Sequence, residues 1–335
     1  MKWFTEQNGK FVIKMPIEWQ YKNIAAEIEE KSPYCFHTYE SANWSFQISC
    51  YSIQQVQRNP NIEIQPAGKA KLKFINSFIN EDEFRIKLWF ASVDDHTFII
   101  KYVYDIGDED SMELKQRLEV VENVLSTLQL LPENRRQLAI EIDKYEKFMA
   151  ALAASFDLRN NAFENGAVIE LIVIIANQID AYLRMALMLK KQLDERSDRI
   201  DIALLFQGEN DAPMMERKVY KKALDQNIID QGIFDDLERL YKERNKIIHR
   251  YIITDFKTRT TYHIAADYEQ IAELVRNALS RVEDRQATEK VGVYKAGLPD
   301  MGNIPEDDKR LLYSQINDKH LIKGFIRNIS KEEKA

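Results

Sequence analysis

The sequence predicts a multi-domain protein of mixed class, with an α+β domain built on an antiparallel sheet over residues 1–132 and an all-α helical bundle over residues 133–290. Three observations carry this expectation. All four tryptophans (Trp3, Trp19, Trp44, Trp89) and both cysteines (Cys35, Cys50) lie before residue 90. The first part alternates apolar and polar residues with period two, as half-buried strands do. Beyond Pro132 the apolar residues recur at helical spacing, and neither Pro nor Gly occurs from Glu133 to Asn165.

Gly9 to Met15, closed by Pro16, reads as an early strand. Phe46, Ile48 and Cys50 alternate with Gln47 and Ser49. Phe84, Ile86, Leu88 and Phe90 alternate with Arg85, Lys87 and Trp89. Thr97 to Tyr104 is rich in β-branched and aromatic residues, and Asp94-Asp95-His96 supplies the hairpin turn before it. A helix with Leu114, Leu118, Val121, Leu125 and Leu128 on one face then runs to Pro132.

A long helix through Ile140 and Phe148 opens the second region. A helix from about Phe163 to Leu193 follows. It is apolar nearly all round, which places it at the centre of a core, and its narrow polar face carries Glu170, Asn177, Asp180 and Arg184. Pro213 interrupts the pattern. A helix from about Met214, a turn around Gly232 and a helix over 234–252 come next. Thr258 to Ile264 reads as a short hairpin or loop. Asp267 with Gln270 reads as the capping box of a last helix along Ile271, Leu274, Val275, Ala278 and Val282. Gly297, Pro299, Gly302 and Pro305 mark residues 291–335 as a loosely attached tail with one short helix.

The chain has 335 residues, 45% hydrophobic and 30% charged, and a net charge of −7, with a pI near 5.5. This balance argues against a protein that coats nucleic acid over its whole surface, but allows a local basic site. The opening MKWFTEQNGKFVIK lacks the apolar core of a signal peptide. The apolar run Ala167 to Ala176 is broken by Glu170, too short and polar to span a bilayer. A cytoplasmic protein with reduced thiols and no membrane association is expected. His37, His96, His263 and His320 are isolated, so no metal or other cofactor is expected.

The helix over 234–252 carries the chemistry. Leu237, Leu240, Tyr241, Ile247, Ile248 and Tyr251 gather on one side, and Arg244 falls in the middle of that stripe. A guanidinium does not shed its proton, so Arg244 must be paired or face a polar cleft. His249 lies at the stripe's edge, one turn after Asn245. On the helical wheel alone the preferred reading pairs Arg244 with Asp180 or Glu170 and leaves His249 in solvent. Arg217, Lys218, Lys221 and Lys222 form one basic cluster, and Arg239, Lys242, Arg244, Lys246 and Arg250 a second. Both read as solvated helix faces on charge alone.

The run Arg244-Asn245-x-x-x-His249-x-Tyr251 resembles the Arg-x4-His motif of the HEPN superfamily (higher eukaryotes and prokaryotes nucleotide-binding), over roughly residues 135–290. The resemblance implies a HEPN-like bundle that forms a homodimer. It often implies a metal-independent endoribonuclease of toxin–antitoxin or antiviral-defence systems, leaving 2′,3′-cyclic phosphate ends. Arg244 and His249 would be catalytic, across a two-fold cleft. Arg244 would hold the scissile phosphate and His249 would move the proton. Asn245, Asp180 and Tyr251 would support the site, and Lys242, Lys246 and Arg250 would bind RNA. Such toxins can be silenced by a nucleotidyltransferase antitoxin that adenylylates the tyrosine, which singles out Tyr251. Its place on the apolar stripe makes an ordinary core role the preferred reading of Tyr251 unless such a partner is encoded nearby. The alternative is a non-catalytic dimerisation or nucleotide-binding module with Arg244 in a structural ion pair. A third reading is a plain structural dimer with an unrelated ligand site in the first domain. Residues 1–132 also resemble a PsbP-like fold, through Phe11-x-Ile13-x-x-Pro16-x-x-Trp19, which suggests a sensing or docking role.

Overall fold

A computed structural model gives the fold and describes all residues except 29, 39–42, 57–60, 69–70, 209–210, 213, 254, 299–304, 320–325, 328 and 330–335. The N-terminal region is rich in sheet and the C-terminal region is helical. The chain divides into two compact units, Met1–Asp143 with Ile304–Ala335, and Lys144–Asn303.

In the first unit, β1 (Lys2–Thr5), β2 (Phe11–Met15) and β10 (Gln129–Leu130) form a small antiparallel sheet in the order β1-β2-β10. A seven-stranded sheet contains β3 (Trp19–Tyr21), β4 (Tyr34–Thr38), β5 (Trp44–Ser52), β6 (Ile64–Gln65), β7 (Ile75–Asn80), β8 (Phe84–Val93) and β9 (His96–Asp105). Its order is β3-β4-β5-β9-β8-β6, with β7 also paired to β8. The period-two pattern sets the register. Phe46 faces Tyr102, Ile48 faces Ile100 and Cys50 faces Phe98 across β5 and β9, which collects the inward residues on one face. A two-residue turn at Asp94-Asp95 joins β8 to β9. Asp94 takes φ 46°, a conformation that aspartate tolerates better than most residues.

Aromatic rings join the two sheets. Phe4 packs edge-on to Phe36 at 4.9 Å between centroids, and Phe11 to Phe98 at 5.5 Å. Helix α1 (Met112–Leu125) buries Leu114, Val121, Val124 and Leu125 in the same core. Its N-terminus is capped by the Ser111 hydroxyl, which accepts from the Leu114 amide. The indole of Trp89 donates to Glu122 on α1 at 3.0 Å.

The second unit holds most of α2 (Glu133–Glu164), then α3 (Val168–Glu195), α4 (Ile202–Leu205), α5 (Glu216–Asp225), α6 (Gln231–Arg250) and α7 (Thr258–Glu289). Gly166, at φ 64°, ends the run between α2 and α3. As the sequence predicts, α3 is the central element. It is apolar and long enough to cross a bilayer, but 72% of its apolar window is buried inside the bundle. Its buried Gln192 accepts from the Gln286 amide at 2.8 Å. Gly292 lies against this pair, where a Cβ would meet the Gln286 amide nitrogen at 2.3 Å.

The structure departs from the sequence reading at several places. The first unit's main segment ends at Asp143, inside α2, rather than at residue 132. Leu128 lies beyond α1, in the turn before β10. The turn foreseen around Gly232 falls at 226–230, and Gly232 belongs to α6. The hairpin or loop over 258–264 is the first part of α7, a single helix of 32 residues. Asp267 is therefore inside a helix rather than capping one, and it pairs with Arg239. Pro213 lies outside the described residues.

The tail is also corrected. Val291, Val293 and Tyr294 pack onto the helical core. The segment from 304 onward groups with the sheet unit, where α8 (Glu306–Lys319) buries Ile316. Asp318 on α8 pairs with buried Lys2 of β1 at 2.6 Å. The physical reason is the apolar and amide face of α8. Asn317 brackets the backbone of Arg327 with two hydrogen bonds, so the segment closes on itself as it docks.

Candidate functional site

The motif helix α6 begins at an aspartate cap, Asp230, which accepts from the Ile233 amide. Leu237, Leu240 and Ile247 are buried, and with them the helix fixes Arg244 against its neighbours. The Arg244 side chain is only 13% exposed. Its partner is neither Asp180 nor Glu170, the acids suggested by the wheel. Glu216, in the first turn of α5, takes both Nη groups in a bidentate pair at 2.9 and 2.8 Å. Asp180 is bonded instead to Arg184 on its own helix, and Glu170 is exposed.

The pair sits in a buried polar cluster to which α3, α5, α6 and α7 all contribute. The Tyr220 hydroxyl donates to Glu216. Burial, with Glu216 beside it, raises the Tyr220 phenol far above its usual range. Burial likewise raises the Tyr268 phenol. Burial opposes the charge on Arg244, but the bonds from Glu216 outweigh it, and the guanidinium is held more firmly protonated than usual. Burial pushes the Asp180 carboxyl up, against the pull of Arg184. Arg244 Nε, the Tyr268 hydroxyl and Asp180 Oδ1 have no hydrogen-bond partner among the described residues.

Tyr241 lies between two such forks. Its ring is 5.0 Å from the Arg244 guanidinium and 5.8 Å from that of Arg217. Arg217 in turn forms a bidentate pair with Glu238 of α6, Nε to Oε1 and Nη2 to Oε2. Two reciprocal arginine–glutamate pairs therefore stitch α5 to α6. The cluster of Arg217, Lys218, Lys221 and Lys222 is thus partly spent on internal pairs, since Lys221 also bridges Asp225.

His249 is exposed on the last turn of α6 and makes no hydrogen bond among the described residues. Asn245 does not orient it. The Asn245 carbonyl instead lies 3.5 Å from Arg244 Nη2, at the limit of a hydrogen bond. Tyr251 is past the end of α6, half-buried, with its hydroxyl 3.5 Å from that of Thr258.

A shallow cavity of about 570 Å³ opens at the junction of α6 and α7, lined by Lys246, Arg250, Asp255, Phe256, Lys257 and Thr260. Lys246 and Arg250 are one turn apart and both exposed. The facing N-terminus of α7 has no side-chain cap and no acid in its first turn, so its backbone amides add positive potential. Lys242, the third lysine or arginine assigned to RNA, is exposed and does not line this cavity. Glu216, Tyr220, Phe256, Lys257 and Tyr268 escaped the sequence reading. Glu216 and Tyr220 stand four apart, one face of a helix, which was the available signal. His320 lies outside the described residues.

No protein-family model matches the chain, and no curated protein does. Among solved structures, the chain is similar to a crystal structure from Bacteroides thetaiotaomicron, with 13% identity and a TM-score of 0.28, over 54% of this chain and 76% of that one.

Proposed function

We propose that the helical unit is a HEPN-type RNA-binding unit that works as a metal-independent endoribonuclease when two copies pair. The observation that carries this is the cationic cavity of Lys246, Arg250 and Lys257 next to exposed His249. An RNA backbone supplies both the phosphates that such a cavity attracts and its own 2′-hydroxyl nucleophile. In this reading His249 moves the proton and Phe256 offers a face for a base. Arg244 would turn to the scissile phosphate when Glu216 releases it, because the bidentate pair holds the guanidinium inside the bundle at 13% exposure. A trigger that loosens α5, or a second copy, would supply that release. The sheet unit, with its PsbP-like pattern, would sense or dock the partner that sets it off. Tyr251 would be the site at which a nucleotidyltransferase antitoxin silences the unit, and a toxin or antiviral-defence setting follows from the same resemblance.

One observation favours the second reading, a non-catalytic dimerisation or nucleotide-binding module. The Arg244–Glu216 pair is bidentate and largely buried, as a structural clamp would be.

The test is cleavage of total RNA and tRNA by the purified protein with EDTA present, for wild type and His249→Ala. Loss of cleavage and of 2′,3′-cyclic ends in the variant supports the enzyme. If wild type is inert but binds RNA, and Lys246→Glu/Arg250→Glu abolishes that binding and its salt dependence, the module reading stands. No RNA binding by a folded protein removes the enzyme reading and leaves the module as a dimerisation unit, to be read from its oligomeric state.

A further inference from the structure

The sheet unit carries an open edge of unusual composition. All six residues of β7 are exposed, with Phe78 at 61% and Ile75 at 44%. Among the described strands β7 pairs with β8 alone. An uncharged edge strand that exposes Ile75, Phe78 and Ile79 is an aggregation hazard unless something covers it.

The direction of its backbone groups follows from its two ends. The Lys73 amide donates to Gln65 Oε1 at 2.7 Å, and the Lys73 carbonyl accepts from Gln65 Nε2 at 2.8 Å. The Glu81 amide donates to the Phe84 carbonyl. Residues 73 and 81 therefore both point into the sheet. By alternation so do Ile75, Ser77 and Ile79, which leaves the backbone groups of Phe74, Asn76, Phe78 and Asn80 facing outward.

The flanking charges are opposite in sign and equally spaced about Ser77. Lys73 precedes the strand and Glu81 follows it, each at the same distance from Ser77. Both are exposed, and Lys73 has only a loose contact at 3.8 Å with Glu63. If a second copy of the strand is laid antiparallel with Ser77 on the two-fold axis, Lys73 meets Glu81 and Ile75 meets Ile79. The outward amides of Asn76 and Phe78 pair in the same register. A shift by two residues sets Ile75 against Glu81, and a parallel strand sets lysine against lysine.

We propose that β7 is a self-association edge, which pairs antiparallel with β7 of a second copy of this chain, with Ser77 on the axis. The interface belongs to the sheet unit and does not depend on the function proposed for the helical unit. Its occupant is a second copy because the edge is complementary to itself in backbone, apolar contact and charge at once.

The axis gives a direct test. Opposed residues of a non-hydrogen-bonded antiparallel pair have Cα atoms about 4.5 Å apart, within the roughly 4.4–6.8 Å that a disulfide spans. Ser77→Cys in the full chain, under mild oxidation, should give a covalent dimer on a non-reducing gel. Wild type with Cys35 and Cys50 should not, and Phe78→Cys, off the axis, should give far less. Lys73→Glu should lower the Ser77→Cys dimer yield, with association weakened roughly tenfold by two like-charge pairs, and adding Glu81→Lys should restore it. Ser77→Cys that stays at the wild-type level overturns the proposal, as do equal yields at 77 and 78 or a charge swap without rescue. A dimer held only by the helical unit would give those negative results while still running as a dimer in solution.

Discussion

Replacing Glu216 with alanine strips Arg244 of its only bidentate partner while leaving the guanidinium in place. Arg244 and Glu216 are 13% and 17% exposed, so water reaches the vacated donors poorly. Breaking a buried pair on one side costs about 3–5 kcal/mol. Residual exposure trims that toward about 3 kcal/mol, and the Tyr220 hydroxyl loses its acceptor for roughly 1 kcal/mol more. Arg244 Nε already lacks a partner, so the vacated Nη donors add to an existing deficit. For a unit of this size the total corresponds to a fall of roughly 10 °C in Tm. The composition supplies two separate probes. All four tryptophans belong to the sheet unit, so their fluorescence follows that unit alone. Ellipticity at 222 nm follows mainly the helical one. Glu216→Ala should lower the ellipticity midpoint and leave the tryptophan midpoint in place. Glu216→Leu with Arg244→Met, which removes both charges, should recover most of the loss. An unmoved ellipticity midpoint would refute the reasoning, and so would a double variant no better than the single one.

Ending the chain at residue 303 should produce the opposite pattern. The tryptophan transition should fall, because Lys2 is left buried without Asp318 and the α8 contacts are lost, while ellipticity unfolding of the helical unit keeps its midpoint. Burial raises the Glu283 carboxyl, against the hydrogen bond from Tyr294. A carboxyl raised on folding stabilises below its unfolded pKa and loses that contribution as pH rises through the folded one. Glu283→Gln should therefore be more stable than wild type at neutral pH, with the gap closing in acid, as urea titrations at several pH values would show; a gap that widens in acid reverses the sign and rejects it. Burial pushes the Cys50 thiol up to about 12, so at pH 8 roughly one molecule in ten thousand carries its thiolate. Disulfide-exchange labelling should reach Cys50 only in denaturant, and rapid labelling of the folded protein would contradict the burial.

Much of the sheet unit was legible because strands at period two announce their inward faces locally. Phe46, Ile48, Phe98 and Ile100 could be placed from their neighbours alone. The centrality of α3 was equally plain, since a helix apolar all round has nowhere to go but inside. Failures came where a local signal was overridden. Asp267 with Gln270 mimics a capping box, yet packing against α6 carries the helix through it from Thr258, and Arg239 takes the carboxylate. The tail looked detached because its glycines and prolines sit before α8, while the face that docks is only fourteen residues long.

The sequence by itself determined that Arg244 stands in an apolar stripe and must be paired or face a polar cleft, because a permanent charge cannot be left bare among apolar side chains. It also determined that Lys73 and Glu81 stand at equal distances on either side of Ser77. Only the tertiary structure decided that the partner is Glu216 rather than Asp180, and that Arg184 claims Asp180. The choice depends on which helix packs nearest, and several acids satisfy the same local rule. It also decided that β7 is an edge, because strand order is set by long-range pairing, which no window of sequence contains.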